Sequence, residues 1–141
     1  MSSLFTTNLA EVYMKGKITV CSVKDLKYYK SNFNVMATRF MVKEINDVYH
    51  MPDLGPTIPL FNLLKSTKDK EERYELLEIF RKETEKEEYR NILNTILKYV
   101  DKGLNVTIMC YCPPNEWDIC HRRILAEEIE KLGYDINLIK K

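Results

Sequence analysis

The chain has 141 residues, of which 45% are apolar and 30% charged, and its formal net charge is +1. A chain of that size buries roughly two-thirds of its unfolded surface without staples, and its composition excludes the disordered and fibrous classes. A near-neutral balance excludes a global field that would draw it onto nucleic acid or a membrane, so any basic footprint must be local.

The N-terminal stretch "MSSLFTTNLAEVYMKGK" lacks a charged start followed by a long apolar run, so no secretory signal is expected. No apolar stretch approaches the length needed to span a bilayer, and no membrane partner is expected. The expected setting is cytoplasmic. Thiols stay reduced there, so the four cysteines favour thiol chemistry, metal binding or core packing over structural disulfides.

In chain order, "LFTT" at residues 4–7 predicts a short strand, and Asn8 predicts the cap of a brief helix that ends at Gly16. "KITVCSV" at 17–23 is β-branched and apolar, the pattern of a strand buried on both faces, with Cys21 as a core residue. Lys15, Lys17, Lys24, Lys27 and Lys30 give this third of the chain a basic bias. "NVMATRF" at 34–40 predicts another strand. Residues 47–59 hold Pro52, Gly55, Pro56 and Pro59 and predict a loop.

Helices are predicted over 70–82, from Tyr74, Leu77 and Phe80, and over 85–101, from an apolar stripe through Tyr89, Leu93, Ile96 and Val100. Gly103 occupies the place of a left-handed helix end. The Glu and Lys residues between 65 and 90 read as solvated helix faces.

"LNVTIMCY" at 104–111 predicts a buried strand. The prolines of "PPNEW" cannot donate to a ladder and so end it. Asp118 predicts the N-cap of a helix running to Gly133, with Ile124, Leu125, Ile129 and Leu132 facing the sheet. "YDINLI" at 134–139 predicts the last strand. Strand, loop, helix, strand is a right-handed βαβ unit with parallel strands. The predicted fold class is α/β: a single domain over 1–141, with a mostly parallel sheet flanked by helices in a three-layer, Rossmann-like arrangement and a C-terminal βαβ unit.

This unit gathers the chemistry. "CYCPPNEWDICHRR" at 110–123 holds three of the four cysteines, one of the two histidines and the one tryptophan. In open α/β sheets, ligands sit beyond the carboxyl ends of strands, against helix N-termini. Cys110 and Cys112 fall at such a strand end, and Cys120, His121 and Arg122 at such a helix start. Cys120 is the candidate thiolate, its pKa lowered by the helix terminus and neighbouring cations. Arg122 is the candidate anion clamp and His121 the proton handler. Arg123 falls with Glu127 and Lys131 on the wet face. Tyr111 and Trp117 are candidates for stacking on a base or sugar. His50 and Asp53 are candidate lid residues of the same crevice.

Four readings stay open at this point. The first is a pocket for an anionic small molecule, a nucleotide or a nucleic-acid end, with or without Cys/His-assisted catalysis. The second is a metal module in which Cys110, Cys112, Cys120 and His121 hold zinc or iron. In a continuous strand, C-x-C sends its side chains to opposite faces, so convergence requires the strand to end at Cys110. The third is a redox pair of Cys120 with Cys110 or Cys112, and the fourth is plain packing. The phosphate cradle with arginine six residues after cysteine is absent, because Glu116, Asp118 and Ala126 occupy those positions. G-x-G-x-x-G and the P-loop are absent too.

The stretch from Val106 to Ile139 resembles the C-terminal signature of the domain-of-unknown-function 488 family: a strand ending in cysteine, a short variable loop, Cys-His-Arg opening a helix, and glycine before the last strand. By that resemblance Cys110, Cys120, His121 and Arg122 carry the motif. "VYHMPDLGP" is similar to the family's mid-chain segment. The aspartate–arginine pair of an earlier family strand is absent as such, and Arg39 in "ATRF" is its divergent counterpart. The resemblance implies an α/β fold and a shared pocket, with no settled reaction.

Overall fold

Among the described residues, five strands make one parallel sheet: β1 (Ile18–Ser22), β2 (Phe33–Met36), β3 (Val48–His50), β4 (Val106–Cys110) and β5 (Ile136–Leu138), in the order β3-β2-β4-β1-β5. The computed structural model describes residues 15–41 and 43–140. The expected strand at 4–7 and the helix capped by Asn8 lie outside them.

Helices flank the sheet. A single turn, α1 (Leu26–Tyr29), follows β1. Three helices join β3 to β4, namely α2 (Ile58–Ser66), α3 (Lys70–Thr84) and α4 (Glu87–Asp101), and α5 (His121–Lys131) joins β4 to β5. The β1-to-β2 and β4-to-β5 connections cross the sheet in opposite directions. Right-handed crossovers therefore set α1 on one face and α5 on the other. Burial agrees. Val20, Val35, Val106 and Ile108 pack with the long helices. Cys21, Met36 and Met109 pack on the opposite face with Leu26, Tyr29 and Ile45.

Local signals explain most boundaries. Asp69 caps α3 by accepting the Glu72 N–H at 3.0 Å. The stripe of α4 buries Leu93, Ile96, Leu97 and Val100, each contributing roughly 1.5–3 kcal/mol of apolar transfer. Gly103 has φ 95°, with Leu104 N–H donating to Tyr99 O and Gly103 N–H to Val100 O, both at 3.0 Å. That paired closure is what a glycine past a helix end provides.

The structure corrects four expectations. Residues 47–59 are more than a loop. They hold β3, a 3-10 turn at Pro52–Leu54 and the start of α2. Pro59 lies in the first turn of α2, where its missing N–H would have had no partner anyway. The strand expected through Phe40 stops at Met36, and residues 37–40 leave the sheet. Asp118 does not cap α5, because Pro114–Ile119 winds into a 3-10 segment and the helix begins after Cys120. Its carboxylate instead accepts from the Tyr74 hydroxyl and pairs with Lys70. Leu132 caps the end of α5 and is exposed.

Candidate functional site

The connections leaving β2 and β4 diverge: β2 feeds β3 at one edge and β4 feeds β5 at the other. Such a switch point opens a crevice beyond the carboxyl ends of the two strands. Here the cavity has a volume of about 630 Å³. Residues 38–40, just past β2, form one wall. Phe61, Leu64 and Lys65 of α2 form another, which meets the first where Phe40 touches Phe61, and Cys110, Tyr111, Cys112 and His121 lie toward β4 and α5.

Strand parity aims the thiols. Val106 and Ile108 face the long helices, so Cys110, two residues on, faces the same way at the strand tip. The strand ends there, which frees Cys112 from alternation. The Sγ atoms of Cys110 and Cys120 are 3.2 Å apart, and the sulfurs of Cys110, Cys112 and Cys120 all lie within 4.8 Å of one another. That set could hold a metal ion, and His121 is not part of it. The expected chain reversal is therefore real. Cys110 and Cys120 are buried, and Cys112 is half-buried.

Burial pushes the Cys110 and Cys120 thiols up to about 12. Cys112 is pushed to about 12 chiefly by its hydrogen bond with Cys110. The Arg122 charge opposes all three shifts. The lowered Cys120 pKa expected from the helix terminus and neighbouring cations is thus reversed in direction: burial raises the thiol, and the Arg122 charge offsets that only in part.

Arg122 is 1% exposed. Its Nη1 donates to Cys110 Sγ at 2.9 Å and Cys112 O at 3.1 Å. Its Nη2 donates to Pro113 O at 2.9 Å and Pro114 O at 3.1 Å, while Nε is buried without a partner. The two prolines forbid a ladder, so this loop's carbonyls need other donors. Arginines supply them: Arg122 as described, Arg123 Nε to Asp118 O at 2.8 Å, and Arg73 Nη2 to Ile119 O at 2.9 Å. Arg123 also pairs with Glu127 on the outer face of α5.

His121 lies between the wall and the sulfurs. Its Nε2 is 2.6 Å from Ala37 O, so that nitrogen carries the hydrogen. Nδ1 is then an acceptor, 3.7 Å from Cys120 Sγ. Burial lowers the imidazole to about 4, outweighing the hydrogen bond to Ala37, so the ring is neutral at pH 7.

The remaining candidates scatter. Cys120 and Arg122 lie behind the crevice rather than on its surface. His50 Nε2 meets Thr38 O at 2.7 Å, and Asp53 pairs with Arg39 at 2.9 Å. Both stand one contact behind the wall. Gly55 touches the same segment: a Cβ there would come within 3.0 Å of Arg39 N. Trp117 lies elsewhere, with Lys140 Nζ 4.6 Å over its ring, in a wider groove of about 890 Å³ between α5 and β5.

Sequence reasoning missed Phe40, Phe61, Lys65 and Arg73. The edge-to-face contact of Phe40 with Phe61, ring centroids 5.4 Å apart, closes one side of the crevice. Two signals could have found part of this: "TRF" follows directly on a strand, and "TIPLF" has the form of a helix start with proline in its first turn.

Residues 18–133 match the sequence model of a family described as the active DUF488-N3 subclade. No curated protein and no solved structure matches the chain.

Proposed function

This chain belongs to the domain-of-unknown-function 488 family, and on that footing we propose that the crevice between the tips of β2 and β4 binds an anionic, ring-bearing small molecule of the nucleotide class. The observation that carries the reading is the make-up of its lining. Among the described lining residues, Arg39, Lys65 and Arg73 stand with one carboxylate, that of Glu116, beside the Phe40–Phe61 pair, and Arg39 is paired with Asp53 just behind the wall. Cations select an anionic group, and aromatic faces and edges select a ring. The volume is in the range of small-molecule sites. Lys65 is the exposed cation of the three, free to meet a phosphate at the mouth. Arg73 is spent on carbonyl groups of Leu64, Thr67 and Ile119, and among the described residues no carboxylate pairs with it, so its charge adds to the local potential.

The ligand's inner end meets the Cys110 and Cys112 sulfurs and a neutral imidazole, so Cys/His-assisted catalysis belongs to this reading as its enzymatic form, and it requires a thiol proton to be removed against the burial that holds it. Calorimetric titration with adenosine 5′-monophosphate, adenosine and inorganic phosphate tests it. The monophosphate is expected to bind more tightly than either fragment. Lys65→Ala is expected to weaken it about tenfold, the loss of one charge-assisted contact. Phe40→Ala is expected to weaken it about threefold or more. Tight binding of a 5′-phosphorylated oligonucleotide alone would shift the ligand to a nucleic-acid end. No binding of any probe at millimolar concentration would reject the reading.

A further inference from the structure

We propose that Cys110, Cys112 and Cys120 form a three-thiolate site for one soft, closed-shell divalent cation of the zinc type, with Arg122 as its charge partner and the fourth coordination position open to the crevice. The site stands on sulfur geometry and does not depend on which ligand the crevice takes.

The distances fit first. Zinc–thiolate bonds of about 2.3 Å put three sulfurs around one ion at separations of about 3.8–4.0 Å. The three sulfurs already lie within 4.8 Å of one another, and the closest pair, Cys110 with Cys120, is at 3.2 Å. Small side-chain rotations spread that pair to a common distance. Three separate pieces of chain supply the sulfurs: the tip of β4, the turn after it, and the residue before α5. A core that merely needed small apolar groups would not require sulfur at all three.

Charge provides the second, independent observation. Arg122 is buried at 1% exposure, and no carboxylate pairs with it among the described residues. A buried guanidinium without a counter-anion is costly. A divalent ion held by three thiolates carries one net negative charge, which Arg122 balances from 2.9 Å behind Cys110. Binding releases three thiol protons to solvent as three metal–sulfur bonds form, so the balance closes without an oxidant.

His121 lies outside the sulfur group that could hold the ion. Its Nε2–H donates to Ala37 O, and its acceptor Nδ1 stands 3.7 Å from Cys120 Sγ, beside the site rather than in it. Cys110 and Cys112 line the crevice. A three-ligand ion there keeps the open position typical of catalytic rather than structural zinc.

The test uses the full chain, reduced and stripped of metal, titrated with Co²⁺ and then Zn²⁺ under anaerobic conditions. About one ion per chain is expected, with intense thiolate-to-cobalt charge-transfer absorption that zinc abolishes. Cys112→Ser removes a half-buried ligand at the edge of the site, and circular dichroism checks that the variant keeps its fold. It is expected to weaken zinc by about a hundredfold or more. Wild-type protein that takes up no ion, Cys112→Ser with wild-type affinity, or a Cys110–Cys120 disulfide persisting in excess thiol reductant would each overturn the site. Nucleotide titration of the same metal-free protein reads the crevice separately, so loss of one proposal is distinguishable from loss of the other.

Discussion

A guanidinium leaves water only when other acceptors replace it, and Arg122 shows what this chain gains by burying one. Three consecutive carbonyls, from Cys112 to Pro114, and the Cys110 sulfur converge on its Nη atoms. The residue read from sequence as an anion clamp therefore grips the loop that carries the thiols. Arg122→Ala should destabilise the fold by roughly 3 kcal/mol or more, since each orphaned buried acceptor costs about 1–3 kcal/mol. Urea unfolding measures it, and a loss below about 1 kcal/mol would assign the loop's order to other contacts. His121 and Cys110 were legible from their position at a helix start and a strand tip. The burial that raises the thiols and lowers the imidazole was not, because it comes from tertiary packing, such as the edge-to-face contact of Phe80 with the His121 ring, between residues distant in sequence.

Between elements, one carboxylate joins three helices. Glu128 of α5 is buried and accepts from Arg81 of α3, Arg90 of α4 and Lys131 one turn on. Burial alone would raise its pKa, but hydrogen bonds from Lys131 and Arg81 hold it below the usual carboxylate range. A depressed folded value contributes stability that is present above the unfolded pKa of about 4.3 and is lost as pH falls through the folded value. Glu128→Gln should lower stability at pH 7 by about 2 kcal/mol and flatten the acid limb of the stability–pH curve. An unchanged acid limb in that variant would place the linkage on other groups.

Sequence pattern read β1, β4, α4 and the C-terminal βαβ unit because each carries its own periodicity or stop signal. It missed α2, whose prolines read as breakers when one of them opens the helix. With α2 went Phe61 and Lys65, the ring and the exposed cation that this helix gives to the crevice. Arg73 was hidden differently: within a run of Glu and Lys its character is that of any solvated face, and only the approach of α3 to the Ile119 carbonyl makes it a clamp.

For the molecule as a whole, topology decides where chemistry can happen. Strand order sends the chain left after β2 and right after β4, which leaves a gap above the sheet at the point where three sulfurs, a neutral imidazole and the cations Arg39, Lys65 and Arg73 meet. The wider groove beside β5 collects Trp117 and Lys140 but no thiol. Among the described residues no helix is long and apolar enough to cross a membrane. These two cavities lie on different sides of α5's first turn, so a single spectrum separates them. In a ¹H–¹⁵N correlation experiment with adenosine 5′-monophosphate, the account predicts amide shifts at Thr38, Arg39, Phe40, Lys65 and the segment from Cys110 to Cys112. Shifts confined to Trp117, Asn137 and Lys140 would contradict it.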